Sequence, residues 1–336
     1  GLALAVVGGV LWLWTPDRVG GAALGLVALG VLVAILGTVL VGPTMSNVYA
    51  NEQMADDVLG HADQLDSLPD SDAARPRIAP LTVSKTRAQN TLQYPRYRLG
   101  NCDVTYLDGT PPWSCPLVPD GAVNTWTQHQ IGAVYVNQSS FEKDIRIDDG
   151  ADFQAGLGMQ LTDNLHWQLY RHDYWNRYGE PFVVPHGGES FIAVPYTEHR
   201  VEFETFPVPQ PYTVPEFGGV KLVAENGSVT DLSPAEARRS PVLNGTNGEQ
   251  NIYPYSLARF RVKSTSYRHG VVNTLITHRD QIELADVPGQ GNDQPFVVPT
   301  EDGVRYFLAV EPWGDASGVY QIWDLDAQTG EMRYLQ

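Results

Sequence analysis

The sequence predicts an α+β protein in which an N-terminal transmembrane helical hairpin precedes an antiparallel, β-rich extracytoplasmic domain of tandem related units. Three observations carry this expectation. The front of the chain is almost free of charge, the pentapeptide Pro-Phe-Val-Val-Pro occurs twice, and turn residues cut the rest into short strands. At 336 residues the chain has room for two or three domains.

Residues 1–45 contain Asp17 and Arg18 and no other charge, so the net −17 belongs to the remainder. Residues 20–41 (GGAALGLVALGVLVAILGTVLV) are uncharged throughout. At about 1.5 Å per residue such a helix reaches roughly 33 Å, enough for a hydrocarbon core of about 30 Å. Residues 1–14 are also apolar and read as a first span whose beginning is missing. Thr15-Pro16-Asp17-Arg18 then forms the turn, with Trp12 and Trp14 at the interface. A signal peptide fits less well, because no basic segment precedes the apolar stretch and a second span follows at once. The hairpin over 1–43 therefore makes the lipid bilayer an expected partner. Gly21 and Gly25, like Gly30 and Ala34, place small residues one turn apart, where a second helix backbone could approach closely. Arg18 puts the turn on the cytoplasmic side and residues 46–336 outside, at a cell membrane or the membrane of a virion. Sequons at Asn137, Asn226 and Asn244 agree with that side.

Residues 44–66 are expected to form a helical neck, since Met54, Val58, Ala62 and Leu65 recur at helical spacing. The proline- and aspartate-rich stretch 67–80 reads as a linker. Three units follow, over 81–137, 138–232 and 233–336, the second expanded. Within the first, Cys102 and Cys115 flank a strand, an Asp108-Gly109 turn and a returning strand. An extracytoplasmic pair in this setting predicts a disulfide, worth about 3 kcal/mol by loop closure. Two thiols alone do not complete a zinc site, and the spacing is not Cys-x-x-Cys.

The units are defined by self-similarity. Pro181-Phe182-Val183-Val184-Pro185 recurs as Pro295-Phe296-Val297-Val298-Pro299, with Pro112-Trp113-Ser114-Cys115-Pro116 as a looser copy. Phe191-Ile192-Ala193-Val194 matches Phe307-Leu308-Ala309-Val310 downstream. Helical stretches precede the strands: residues 84–92, and the capping box Ser233-Pro234-Ala235-Glu236. Short strands and 24 prolines argue against a parallel, doubly wound sheet. The ending over 319–331 (VYQIWDLDAQTGE) resembles the closing hairpin of PepSY-type modules, which are small cystatin-like α+β units. That resemblance implies extracytoplasmic modules used for binding, inhibition or assembly, and it assigns no functional residues.

Chemistry is sparse. No nucleophile elbow, zincin helix, phosphate loop or dinucleotide fingerprint occurs. The densest histidine group is His166, His172 and His186 with Asp173. An extracytoplasmic hydrolase or metal enzyme centred on His172 and Asp173 is the alternative to a binding protein. Against it, His166, Gln168 and Tyr170 alternate with Trp167, Leu169 and Arg171 as on a half-buried strand. Asp148, Asp149, Asp293, Glu301 and Asp302 form acidic loops that read as solvated surface, with calcium the alternative. Basic residues number 22 against 39 acidic ones, which excludes nucleic acid as a main partner and suits a saline exterior. No cofactor is expected. The reading is a non-catalytic binding or assembly protein, a subunit of a larger membrane or surface complex or a self-associating chain.

Overall fold

The computed structural model describes residues 27–30, 32, 42–71, 79–139, 144–205, 209–245, 249–285, 294–314 and 318–336. Over these residues the protein is mixed α+β, with antiparallel sheets and no closed barrel. Residues 27–30 and 32 are helical, Gly30 is buried, and the rest of both expected spans, with Gly21, Gly25 and Ala34, lies outside the described residues. Among the described residues no helix is long and apolar enough to cross a membrane. The chain divides into two compact units, Gly1–Gln53 with Val201–Val214, and Met54–Arg200 with Pro215–Gln336.

In the first unit, helix α1 (Gly42–His61) begins beside a two-stranded arm. Tyr49 meets Tyr212 at 5.7 Å between ring centroids, Ser46 Oγ donates to the Pro211 carbonyl at 3.3 Å, and Gln210 Nε2 donates to the Gly42 carbonyl at 3.0 Å. Helix α1 runs on into the second unit, where Met54, Ala55 and Val58 are buried and Asp57 pairs with Arg261 at 3.5 Å. An apolar stripe at i, i+4 spacing needs a surface to cover it, so this half of the segment read as a neck is packed against its own unit. The chain then forms β1 (Asp63–Gln64).

Three sheets build the second unit. The first follows helix α2 (Leu81–Thr91) and contains β2 (Tyr97–Leu99), β3 (Asp103–Val104), β4 (Trp113–Pro119), β5 (Ala133–Val136) and β6 (Ile145–Asp148). Its order is β2-β4-β5-β6, with β3 also paired to β4. Asp108 and Gly109 take φ of 51° and 74°, the left-handed pair a tight hairpin requires. The expected disulfide joins Cys102 to Cys115 across β3 and β4.

The middle sheet follows helix α3 (Leu165–His172) and contains β7 (Arg177–Tyr178), β8 (Phe182–His186), β9 (Glu189–Glu204), β10 (Gln210–Ala224) and β11 (Val229–Leu232). Helix α4 (Pro234–Arg239) comes next, and its capping box forms as expected, with Ser233 and Glu236 bonded to each other's backbone. Strand β8 shows why the box 181–185 is apolar without interruption. Val183, Ile192 and Val194 enter a core with Phe153, Leu165 and Leu169, whereas Phe182, Val184 and Ala193 enter another with Ala237, Leu243 and Ile252. Successive side chains point to opposite faces, so a strand buried on both faces cannot alternate with polar residues.

The third sheet follows helix α5 (Tyr255–Ser264) and contains β12 (Ile282–Leu284), β13 (Phe296–Thr300), β14 (Gly303–Pro312), β15 (Gln321–Asp326) and β16 (Met332–Leu335). Its order is β1-β16-β15-β14-β12, with β13 also on β14, and β1 is parallel to β16. The two identical boxes hold the same place in two hairpins. Phe182 faces Ala193 as Phe296 faces Phe307, and each turn has two residues between the strands. The downstream likeness is displaced, since Val184 faces Phe191 while its counterpart Val298 faces Arg305. A displacement of two residues keeps every side chain on its face.

Asp324 is fully buried in this sheet and accepts from Arg305 Nε at 2.7 Å and Arg333 Nη2 at 2.8 Å. Removing the carboxylate leaves the buried Arg305 with only the longer 3.5 Å pair to Asp326. We expect Asp324→Ala to lower stability by about 3–5 kcal/mol in urea unfolding. Arg146→Ala, which breaks the exposed 3.2 Å pair with Asp108, should cost about 0–1 kcal/mol. Equal losses in the two variants would refute the buried role.

Candidate functional site

The alternation over 166–171 read as a half-buried strand, and the structure makes these residues part of helix α3. Asn164 caps it, its side chain accepting from the Trp167 N–H at 3.1 Å. Leu165 and Leu169, four apart, are the buried pair. Alternation of His166, Gln168 and Tyr170 misleads because a short helix with two core contacts also shows polar residues at every second position.

Helix α3 ends at a turn built by Asp173. Its carboxylate accepts from the Trp175 N–H at 3.2 Å and from Asn176 Nδ2 at 2.9 Å. The Tyr178 hydroxyl lies 2.9 Å from both the Leu169 and Asp173 carbonyls and serves the last turn as donor. His172 is exposed, so Asp173 shapes backbone in place of orienting an imidazole. His186 lines a different cleft. Among the described residues no group of three or more His, Cys, Asp or Glu could hold a metal ion.

The turn displays rings to solvent. Tyr174 is 73% exposed and Trp175 83%, Tyr170 is exposed beside them, and Trp167 is exposed one turn earlier on the helix. Tyr170 lies 6.1 Å from Tyr174 and 5.2 Å from Tyr178, and Tyr174 lies 5.7 Å from Trp175. The chain of rings continues inward through Tyr178 to Tyr196 at 6.2 Å. Tyr196 donates to Asp231 at 3.0 Å, and the buried Lys221 sits 4.6 Å above its ring while pairing with the same Asp231 at 2.6 Å. Burial first, and then the neighbouring Asp173 and Asp231, push the Tyr178 hydroxyl well above the usual tyrosine range; burial and the Asp231 bond do the same for Tyr196. Both remain neutral donors at physiological pH.

Beside this cluster a cleft of about 410 Å³ opens where the three sheets meet. Helix α2 contributes Lys85; the first sheet Asp103, Val104 and Trp113; the middle sheet Arg177 to Glu180; and the third unit Tyr255, Arg259, Pro295 and Val297. Asp103 is held by the Tyr255 hydroxyl at 2.6 Å and the Val104 N–H at 2.7 Å. Arg259 Nε donates to the Gln294 carbonyl. Cys102 lies on the wall, so the disulfide braces one side. None of Lys85, Asp103 or Arg259 belongs to a motif in sequence. Only their neighbours, the cysteines and the second box, marked the region.

The sequons differ in accessibility. Asn226 is exposed in the β10–β11 turn, its side-chain oxygen accepting from the Ser228 N–H at 2.9 Å. Asn137 Nδ2 donates to Asp144 at 3.0 Å, and Asn244 Nδ2 donates to the Arg238 carbonyl at 2.6 Å. Of the acidic loops, Asp149 accepts from the Tyr94 hydroxyl, Glu301 and Asp302 are exposed, and Asp293 lies outside the described residues. Tyr94 and Tyr97 meet edge to face at 6.5 Å, and Arg98 lies 3.6 Å from Asp120.

No protein-family model, curated protein or solved structure matches this chain.

Tyr178→Phe should remove the donor at the end of helix α3 and cost about 1 kcal/mol in chemical denaturation. Hydrogen exchange at 170–176 should accelerate, while exchange in β13 and β14 stays as in the parent chain. Unchanged protection over 170–176 would refute the capping role.

Proposed function

We propose that this chain is a membrane-anchored, extracytoplasmic binding or assembly protein without catalytic activity, working as a subunit of a larger membrane or surface complex. The observation that carries this reading is the exposed ring cluster of Tyr170, Tyr174 and Trp175. Large rings left in water on a folded chain are costly unless a partner covers them. Trp, Tyr and Arg are also the side chains that dominate binding hot spots, and Arg171 and Arg177 flank these rings. The anchor is residues 1–43.

The arm of the first unit supports anchoring. Along 201–204 the strand is inverted, with Val201 and Phe203 69% and 63% exposed while Glu202 and Glu204 are half-buried. The neighbouring strand is bonded to Gly42, the residue after the apolar stretch 20–41. An outward apolar face at that level suits the headgroup region of a bilayer.

Two measurements test the reading. Alkaline carbonate washing of native membranes should leave the protein in the pellet, and release into the supernatant would remove the anchor. Native electrophoresis after mild detergent extraction should show a particle larger than the chain itself. The double variant Tyr174→Ala with Trp175→Ala should reduce it to the chain's own size. A particle unaffected by that variant, or no particle from the start, would overturn assembly through this surface.

A further inference from the structure

We propose that the cleft between the three sheets binds a small organic oxyanion, a ligand carrying a carboxylate or phosphate group on an apolar body. This goes beyond assembly through the ring cluster, with which it shares only Arg177.

Charge is the first argument. Across the chain, acidic residues outnumber basic ones 39 to 22, yet the cleft reverses the ratio, with Lys85, Arg177 and Arg259 against Asp103 and Glu180. Elsewhere in the second unit basic side chains such as Arg98, Arg146, Lys221, Arg305 and Arg333 sit within ion-pair distance of an aspartate. Among the described residues Lys85 and Arg177 have no ion-pair partner. Asp103, the buried carboxylate of the cleft, accepts the Tyr255 hydroxyl and a backbone N–H through Oδ1. Arg259 is anchored through Nε to the Gln294 carbonyl, which holds the stem of the side chain at the cleft wall. Guanidinium groups match the geometry of carboxylate and phosphate oxygens, and a lysine adds a point charge.

Shape is the second. A volume of about 410 Å³ lies within the range of small-molecule sites, about 300–1,000 Å³. Apolar side chains, Trp113, Val104, Pro295 and Val297, form another part of the lining. An anion without an apolar part would leave that part wet. The three cations come one from each structural layer, on α2, β7 and α5, so the site exists only when all three sheets are assembled.

The test uses the full chain in detergent and calorimetric titration at low salt. Phenyl phosphate and 3-phenylpropionate are the probes, and benzylamine and benzyl alcohol the controls. At least one acid should bind ten-fold or more tightly than either control, and comparison of the two acids identifies the preferred oxyanion. Lys85→Gln with Arg177→Gln should weaken it ten-fold or more without moving the unfolding midpoint. Glu180→Gln removes the remaining carboxylate and should tighten binding several-fold, an outcome that loss of structure does not produce. Binding of benzylamine or benzyl alcohol as tightly as the acids would overturn the proposal. So would an unaltered affinity in the well-folded double variant, or no binding of either acid. Particle size in native electrophoresis is a separate readout, so failure here leaves the assembly reading standing.

Discussion

Gln250 holds together parts of the chain that no sheet joins. It is fully buried, and its side-chain amide mimics a missing strand: Oε1 accepts from the Tyr106 N–H at 2.9 Å and Nε2 donates to the Tyr106 carbonyl at 2.8 Å. Its own N–H donates to Leu243 at 3.0 Å, and its carbonyl accepts from Gln328 at 3.3 Å. Tyr106 belongs to the first sheet's hairpin, Leu243 follows the middle sheet, and Gln328 is in the turn of the third. The next residues extend the tie. Tyr253 donates to Ala327 at 2.8 Å, Tyr306 donates to the Tyr253 carbonyl at 2.9 Å, and Tyr255 reaches Asp103. Each unmet backbone group in such a place would cost about 1–3 kcal/mol, so this segment determines how the three sheets meet and hence where the cleft opens.

The same device recurs. Short sheets joined by long connections leave loop backbone inside the protein, and a buried peptide group must find a partner. Gln130 accepts from the Leu157 N–H at 2.8 Å; Gln294 accepts from Ala309 at 2.5 Å and donates to Ala285 at 2.9 Å. A glutamine amide carries the donor and acceptor of a peptide on a flexible stem, so it can complete a ladder where no strand passes. The ion triad at Asp324 is a different solution on the same sheet, with two arginines sharing one buried carboxylate.

The ring cluster and the cleft both descend from one short stretch. Leu165 and Leu169 pin helix α3 to the core shared by the first two sheets, and Asn164 and Tyr178 close its two ends. The chain then has two residues, Tyr174 and Trp175, with no core left to enter. Immediately afterwards Arg177 and Tyr178 pair with Thr197 and Tyr196, which carries the backbone back to the sheet and sets Arg177 at the cleft.

Local signals were legible in sequence. The Asp108-Gly109 turn, the disulfide across it and the capping box at Ser233 follow from backbone conformations and patterns confined to a few residues. Helix α3 was misread because eight residues with two buried leucines carry too little period to separate helix from strand. The sequence by itself determined the α+β class, the antiparallel hairpins and a chain whose charge begins after an apolar front. Tertiary structure alone decided that Lys85, Arg177 and Arg259 share a cleft, that Asp173 serves a turn, and that Gln250 binds three sheets. Those relations join residues up to 174 positions apart, from Lys85 to Arg259, and no local pattern encodes a distance that only packing creates.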